Sequence, residues 1–124
     1  MTENYIPPKT ISELLERYKN GERYFVECDL YDEVHNLRNL NLEGINLSKS
    51  FLLADFRQAN LRGANFYQAN VKTCDFRGAD LTNATFEDSA IDSALFEGAI
   101  LENTNFENAG FYGYLLKKGE IPDR

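Results

Sequence analysis

One histidine and two cysteines are the only imidazole and thiol groups in these 124 residues, the groups on which a Ser–His or Cys–His nucleophile or a soft-metal site would depend. A Cys–His nucleophile or a zinc site needs several such groups brought together. His35, Cys28 and Cys74 are scattered along the chain, and there is no second histidine. The remaining candidates are carboxylates: Glu87, Asp92, Glu97, Glu102 and Glu107 recur at five-residue intervals toward the C-terminus. Glu87 and Glu107 could face one divalent cation, but a single carboxylate pair without further converging oxygens makes a weak site. Acid–base work needs a carboxyl whose proton affinity is raised in a water-poor cleft, and acids on a convex wall have none. The glycines fall at regular corners and form no phosphate-binding loop. The residues therefore predict no catalytic, cofactor-binding or metal-ligating set.

What positions those carboxylates is a repeat. Between residues 54 and 111 a large apolar residue recurs at every fifth position: Phe56, Leu61, Phe66, Val71 and onward to Phe111. Two places before each stands a small one, from Ala54 through Cys74 and Ser89 to Ala109. A period of five fits neither a helix at 3.6 nor a flat strand at 2. It fits a short strand and a corner, repeated. Residues two apart share a face of extended chain, so small and large both point inward. The Asp or Asn between them (Asp55, Asn60, Asn65, Asn70) points out to water. The last two residues turn the corner, where Gly63, Gly78, Gly98 and Gly113 suit a left-handed backbone and Asn83, Asn103 and Asn108 tolerate it.

The large residues also count the sides. Phe56, Phe76 and Phe96 recur at twenty, as do Leu61, Leu81 and Leu101. Four sides stack like on like, whereas three would stack Phe on Leu or Val. The pattern predicts a mainly β solenoid, a right-handed four-sided (quadrilateral) β-helix of about four coils with a filled interior. Cys28 and Cys74 fall in small slots of different columns and layers, which predicts two buried free thiols.

This motif (small residue, Asp or Asn, Leu or Phe, two variable positions) closely resembles that of the pentapeptide-repeat family. Twelve successive pentads match at both inward positions, and the resemblance covers about two-thirds of the chain. It implies a right-handed quadrilateral β-helix. Of function it implies little: most members have no known role, and a minority mimic DNA and bind type II topoisomerases. The stretch from Leu14 to Arg23 also looks like leader helices of short cyanobacterial members.

The ends complete a single domain over 1–124. Residues 1–9, with Pro7 and Pro8, read as an extended lead-in. Residues 10–21 read as a capping helix: Thr10 and Glu13 form a capping box, Ile11, Leu14, Leu15 and Tyr18 share one face, and Gly21 supplies the stop. The β-helix spans 22–111. In its first coil, Tyr31 to Asn36 breaks the count and should bulge as a loop carrying His35 on the surface. Leu40 and Ile45 fill the next small slots. One residue is missing from the register near Phe51 and Leu52, and Phe51 is expected in the column of Val71 and Ile91. Residues 112–124 read as a C-terminal cap and tail, with Tyr114, Leu115 and Leu116 folding over the end and the final residues fraying.

The net charge of −7 divides into −3 over residues 1–50, +1 over 51–83 and −5 over 84–124. Arg57, Arg62, Lys72 and Arg77 follow the large residues of the middle coils, and Arg77 is expected beside Glu97. Four basic side chains on different faces offer no track for direct nucleic-acid binding. No apolar run approaches a membrane span and no export leader is visible, so a cytoplasmic location is the default. One departure from the motif singles out a partner surface. Ala90, Leu95 and Ile100 replace the outward Asp/Asn on three successive walls, edged by Glu87, Glu97, Glu102 and Glu107. The expected function is a non-catalytic rigid scaffold or adaptor binding a protein through its outer walls, as a monomer or a weak homodimer through an end coil. The alternative is an acidic DNA mimic that inhibits or protects a type II topoisomerase.

Overall fold

The computed structural model describes residues 4–123; the first three residues of the expected lead-in and the last of the expected tail lie outside the described residues. Parallel bridges join Asp55 to Asp75, Asn60 to Asp80, Asn65 to Thr85 and Asn70 to Ala90, and the series restarts with Asp75 and Leu95. Four pairings pass before a wall recurs, so the chain winds as a four-sided parallel β-helix. Each wall is tied in both directions: Phe56 N–H donates to Asp75 O at 2.7 Å, and Asp75 N–H donates back to Ala54 O at 3.1 Å.

The corners explain the rest of the motif. The second residue after each large one is left-handed, with φ of 62° at Gln58, 68° at Gly63, 56° at Gln68 and 63° at Thr73. Non-glycine residues pay roughly 1–2 kcal/mol for that conformation. Two hydrogen bonds offset it. The corner amide reaches the next coil (Gln58 N to Arg77 O, 3.0 Å). The outward Asp or Asn accepts the amide two residues on: Asp55 Oδ1 from Arg57 N and Asn60 Oδ1 from Arg62 N, both at 3.1 Å. That slot is a turn-forming acceptor as well as a wet face.

Inside, the like-on-like columns are stacks of rings. Phe56, Phe76 and Phe96 lie 5.1 and 5.2 Å apart and nearly parallel; Phe66, Phe86 and Phe106 lie 4.8 and 4.9 Å apart. The two columns meet edge to face, as at Phe76–Phe86 with 5.3 Å between centroids. The rings are 0–1% exposed. The alanine columns beside them let the backbone close around this core.

At the N-terminal end, α1 (Ile11–Lys19) starts with Thr10 Oγ1 accepting from Glu13 N at 3.1 Å. The reciprocal half of the box differs from expectation: Glu13 Oε1 takes the amide of Lys9, not that of Thr10. Gly21, at φ 102°, ends the helix with its N–H on Tyr18 O while Glu22 N–H reaches Arg17 O, both at 3.0 Å. Leu14 is 1% exposed and joins the core with Phe25, and Tyr18 Oη donates to Glu43 O at 2.7 Å.

The lower coils correct two expectations. Strands β1 (Asp29–Asn36) and β2 (Phe51–Asp55) pair in parallel, Leu30 with Leu52 and His35 with Ala54, with a break between. His35 is therefore not on the surface. It is 7% exposed and stands in the small column under Ala54 and Cys74. Only Tyr31 to Val34 bulges, and the inward count resumes at the histidine, a residue too large and polar to suggest that slot. Phe51 likewise does not join Val71 and Ile91. It is 53% exposed, and Leu52, at 3%, takes the inward place. The residue missing from the register is the left-handed corner itself. No residue of β2 has positive φ, so that wall runs straight from Leu52 to Phe56.

At the other end β3 (Gly110–Phe111) and β4 (Tyr114–Leu115) form a hairpin through Tyr112 and Gly113, at φ 53° and 83°. Of the three residues expected to fold over the end, Leu116 alone does so, at 6% exposed; Tyr114 and Leu115 face solvent.

Candidate interaction walls

The apolar strip of the last coil is built by the repeat. Ala94 and Phe96 point inward, so Leu95 between them must point out; Ala99 and Leu101 do the same for Ile100. Leu95 stands over Asp75 and Ile100 over Asp80. They are 43% and 51% exposed, on adjacent walls around the Gly98 corner, and the C-terminal hairpin does not cover them. Ala90, one wall earlier, is half-buried over Asn70. The apolar choice has a local cost: an aliphatic side chain cannot accept the corner amide, as Asp75 Oδ1 does from Arg77 N at 3.1 Å.

Acids rim this strip. Glu97 follows Leu95 and Glu102 follows Ile100, both exposed. Glu87 and Glu107 are half-buried and stacked one coil apart, where Asp88 N–H meets Glu107 O at 3.1 Å. Among the described residues none of these four carboxylates lies within ion-pair reach of a cation, and no group of three or more His, Cys, Asp or Glu could hold a metal.

A second charged feature lies below it and was hidden by the irregular count. Arg38, Arg57 and Arg77 follow Leu37, Phe56 and Phe76 on one wall and form a row along the axis, while Arg62 and Lys72 lie on other walls. The five-residue count reaches Arg57 and Arg77. Arg38 joins them only once the two extra residues of the first coil and the missing one of the second are placed. Asp55 and Asp75 fork onto their own arginines, with Arg57 Nη2 and Arg77 Nη2 at 2.8 and 2.7 Å. The chain of contacts continues between coils, Arg38 Nε to Asp55 and Arg57 Nε to Asp75 at 3.6 Å each. These forks hold both aspartates below the usual carboxylate range. Arg77 thus pairs with Asp75 directly, and the expected neighbour Glu97 acts on it only at longer range.

The thiols are free and buried. Burial pushes Cys74 up to about 12 and raises Cys28 as well, so neither is an available thiolate near neutral pH. His35 Nε2 is buried without a hydrogen-bond partner among the described residues and lies 3.4 Å from Asp32 Oδ1. No helix among the described residues is long and apolar enough to cross a membrane.

Compared with known proteins, residues 49–123 match the model of the pentapeptide repeat region. The crystal structure of a pentapeptide repeat protein from Nostoc PCC 7120 is similar at 29% identity and a TM-score of 0.60, covering 94% of this chain and 92% of that one. A pentapeptide repeat protein from the cyanobacterium Cyanothece 51142 shares the fold at 21% identity and a TM-score of 0.52, covering 76% of this chain and 90% of that one. No curated protein matches the chain.

Proposed function

The chain belongs to the pentapeptide-repeat family, a family of right-handed quadrilateral β-helices, and on that premise we propose that it is a non-catalytic rigid scaffold that binds another protein through its outer walls. In this reading it is one unit of about four coils, capped by α1 and by the C-terminal hairpin. The observation that carries the proposal is the exposure of Leu95 and Ile100 side by side where the coil below presents Asp75 and Asp80. Isolated exposed leucines are ordinary. Here the chain gives up the corner acceptor on three successive walls, and an apolar centre with a carboxylate rim (Glu87, Glu97, Glu102, Glu107) has the make-up of a docking patch. A partner segment with aliphatic and basic side chains fits it.

Leu95→Asp with Ile100→Asn tests this. The double variant should unfold within about 1 kcal/mol of the parent, as exposed substitutions do, while losing its partner in sedimentation or pull-down from a lysate. A marked loss of stability with unchanged assembly would mean that the strip is structural. The topoisomerase-directed DNA mimic is the second reading, favoured by the net charge of −7 and by the run of acids Glu87, Glu97, Glu102 and Glu107, which have no ion-pair partner among the described residues. The arginine row breaks any continuous phosphate-like array. Absence of inhibition in a DNA-supercoiling assay would eliminate that reading and leave the first intact.

A further inference from the structure

The arginine row does something the acidic remainder of the surface cannot. Arg38, Arg57 and Arg77 line a shallow depression together with Asn39 and Gln58, and no carboxylate contributes to its lining. Asp55 and Asp75 bind the Nε and Nη2 edges of their own arginines: Arg57 Nε and Nη2 lie 3.0 and 2.8 Å from Asp55 oxygens, Arg77 Nε and Nη2 3.0 and 2.7 Å from Asp75 oxygens. The forks fix the planar heads and leave Nη1 of each without a partner among the described residues. Much of the entropy lost on gripping a ligand is therefore lost already. The side chains of the three stay 40–46% exposed. Gln58 is placed with equal care: a β-carbon on Gly78 would lie 2.1 Å from Gln58 Nε2, so the glycine leaves room for that amide to lie over the next corner.

From this geometry we infer that the wall carrying Arg38, Arg57 and Arg77 binds a multivalent phosphate anion, held by the free guanidinium edges and the Gln58 and Asn39 amides. Successive guanidiniums stand one coil apart, about 4.8 Å. An ion bridging two of them needs oxygens directed both up and down the axis. A tetrahedral phosphate has these and keeps a further oxygen for an amide, whereas a carboxylate points both oxygens one way. The lining of the depression carries three arginines and no carboxylate, while Asp55 and Asp75 take the Nε edges and Glu97 acts on Arg77 from the coil above.

Titration of the labelled full chain with inorganic pyrophosphate at constant ionic strength tests the site. Saturable shifts are expected at the Nε–H groups of the three arginines and at the Gln58 side-chain amide, with citrate binding more weakly. Arg57→Gln with Arg77→Gln should weaken binding at least ~10-fold, the equivalent of one charge-assisted hydrogen bond. Arg62→Gln, on the adjoining wall and paired with Asp80 at 3.1 Å, should leave it unchanged. If the double variant fails to fold, Arg38→Gln keeps the test open, because Arg38 follows Asn36 and lacks an aspartate of its own pentad. No saturable response, citrate binding as tight as pyrophosphate, or affinity indifferent to these arginines would overturn the inference.

Discussion

A single ring inside the stack shows how much each layer contributes. Phe86 is enclosed by Phe66 below and Phe106 above, at 4.8 and 4.9 Å. Phe86→Ala should cost about 3–5 kcal/mol from lost burial and the cavity left behind, while its outward neighbour Glu87→Ala stays within about 0.5 kcal/mol. Equal effects in denaturant unfolding would reverse the assignment of inside and outside. The forked aspartates give a prediction about pH. Asp55 and Asp75 are held below their ordinary proton affinity by Arg57 and Arg77. The stability they contribute is present above the unfolded carboxylate value of about 3.9 and is lost as pH falls through the depressed one. Unfolding midpoints should therefore drop on acidification below about pH 4, and Asp55→Asn with Asp75→Asn should flatten part of that slope.

Among the elements, the alanine columns and the irregular β1–β2 pair make separate demands. Ala79 is fully buried where two walls close on the rings, so Ala79→Leu should destabilise by about 1–3 kcal/mol through overpacking. A neutral result would mean slack in the core. The β1–β2 pair offers a sharper comparison. Leu52→Ala should cost about 2–5 kcal/mol, whereas Phe51→Ser should cost a fraction of that, since Phe51 faces solvent. The opposite ranking would put Phe51 back inside. That pair also marks where the sequence stops being legible. Where the pentads are regular, the twelve large residues and their small partners specify inside, outside and corner without help. Between Leu30 and Phe56 the chain gains two residues on one coil and loses one on the next. Counting alone cannot decide whether Phe51 or Leu52 turns inward, because both are apolar. The parallel pairing of Leu30 with Leu52 decides it.

For the whole molecule the same division holds. The four-sided solenoid was legible because one short motif recurs and every recurrence obeys it, and the acidic last coil with Leu95 and Ile100 could be placed from the count. The arginine row could be seen only in part, since Arg38 comes into line once both irregularities are resolved in three dimensions. The hairpin was hidden too. Tyr114, Leu115 and Leu116 are all apolar in character, and only the turn at Tyr112 and Gly113 determines that Leu116 alone packs down. Each coil touches only its neighbours, so stability is close to a sum over layers, and the end coils, covered by α1 or by the hairpin on one side, should open before the middle.

Two buried thiols at different heights turn that layered build into a clock. Cys28 lies in the first coil, 1% exposed, with Tyr5 and Ser50 beside it; Cys74, fully buried, sits in the middle of one small column between Ala54 below and Ala94 above. Neither meets an alkylating reagent until its own layer parts, so the two labelling rates record the order in which the coils come undone. Mass spectrometry of the intact chain during slow alkylation should find Cys28 modified first, with Cys74 following at the pace of global unfolding. Simultaneous labelling would mean that the rod opens all at once, and the end layers would then have no independent life.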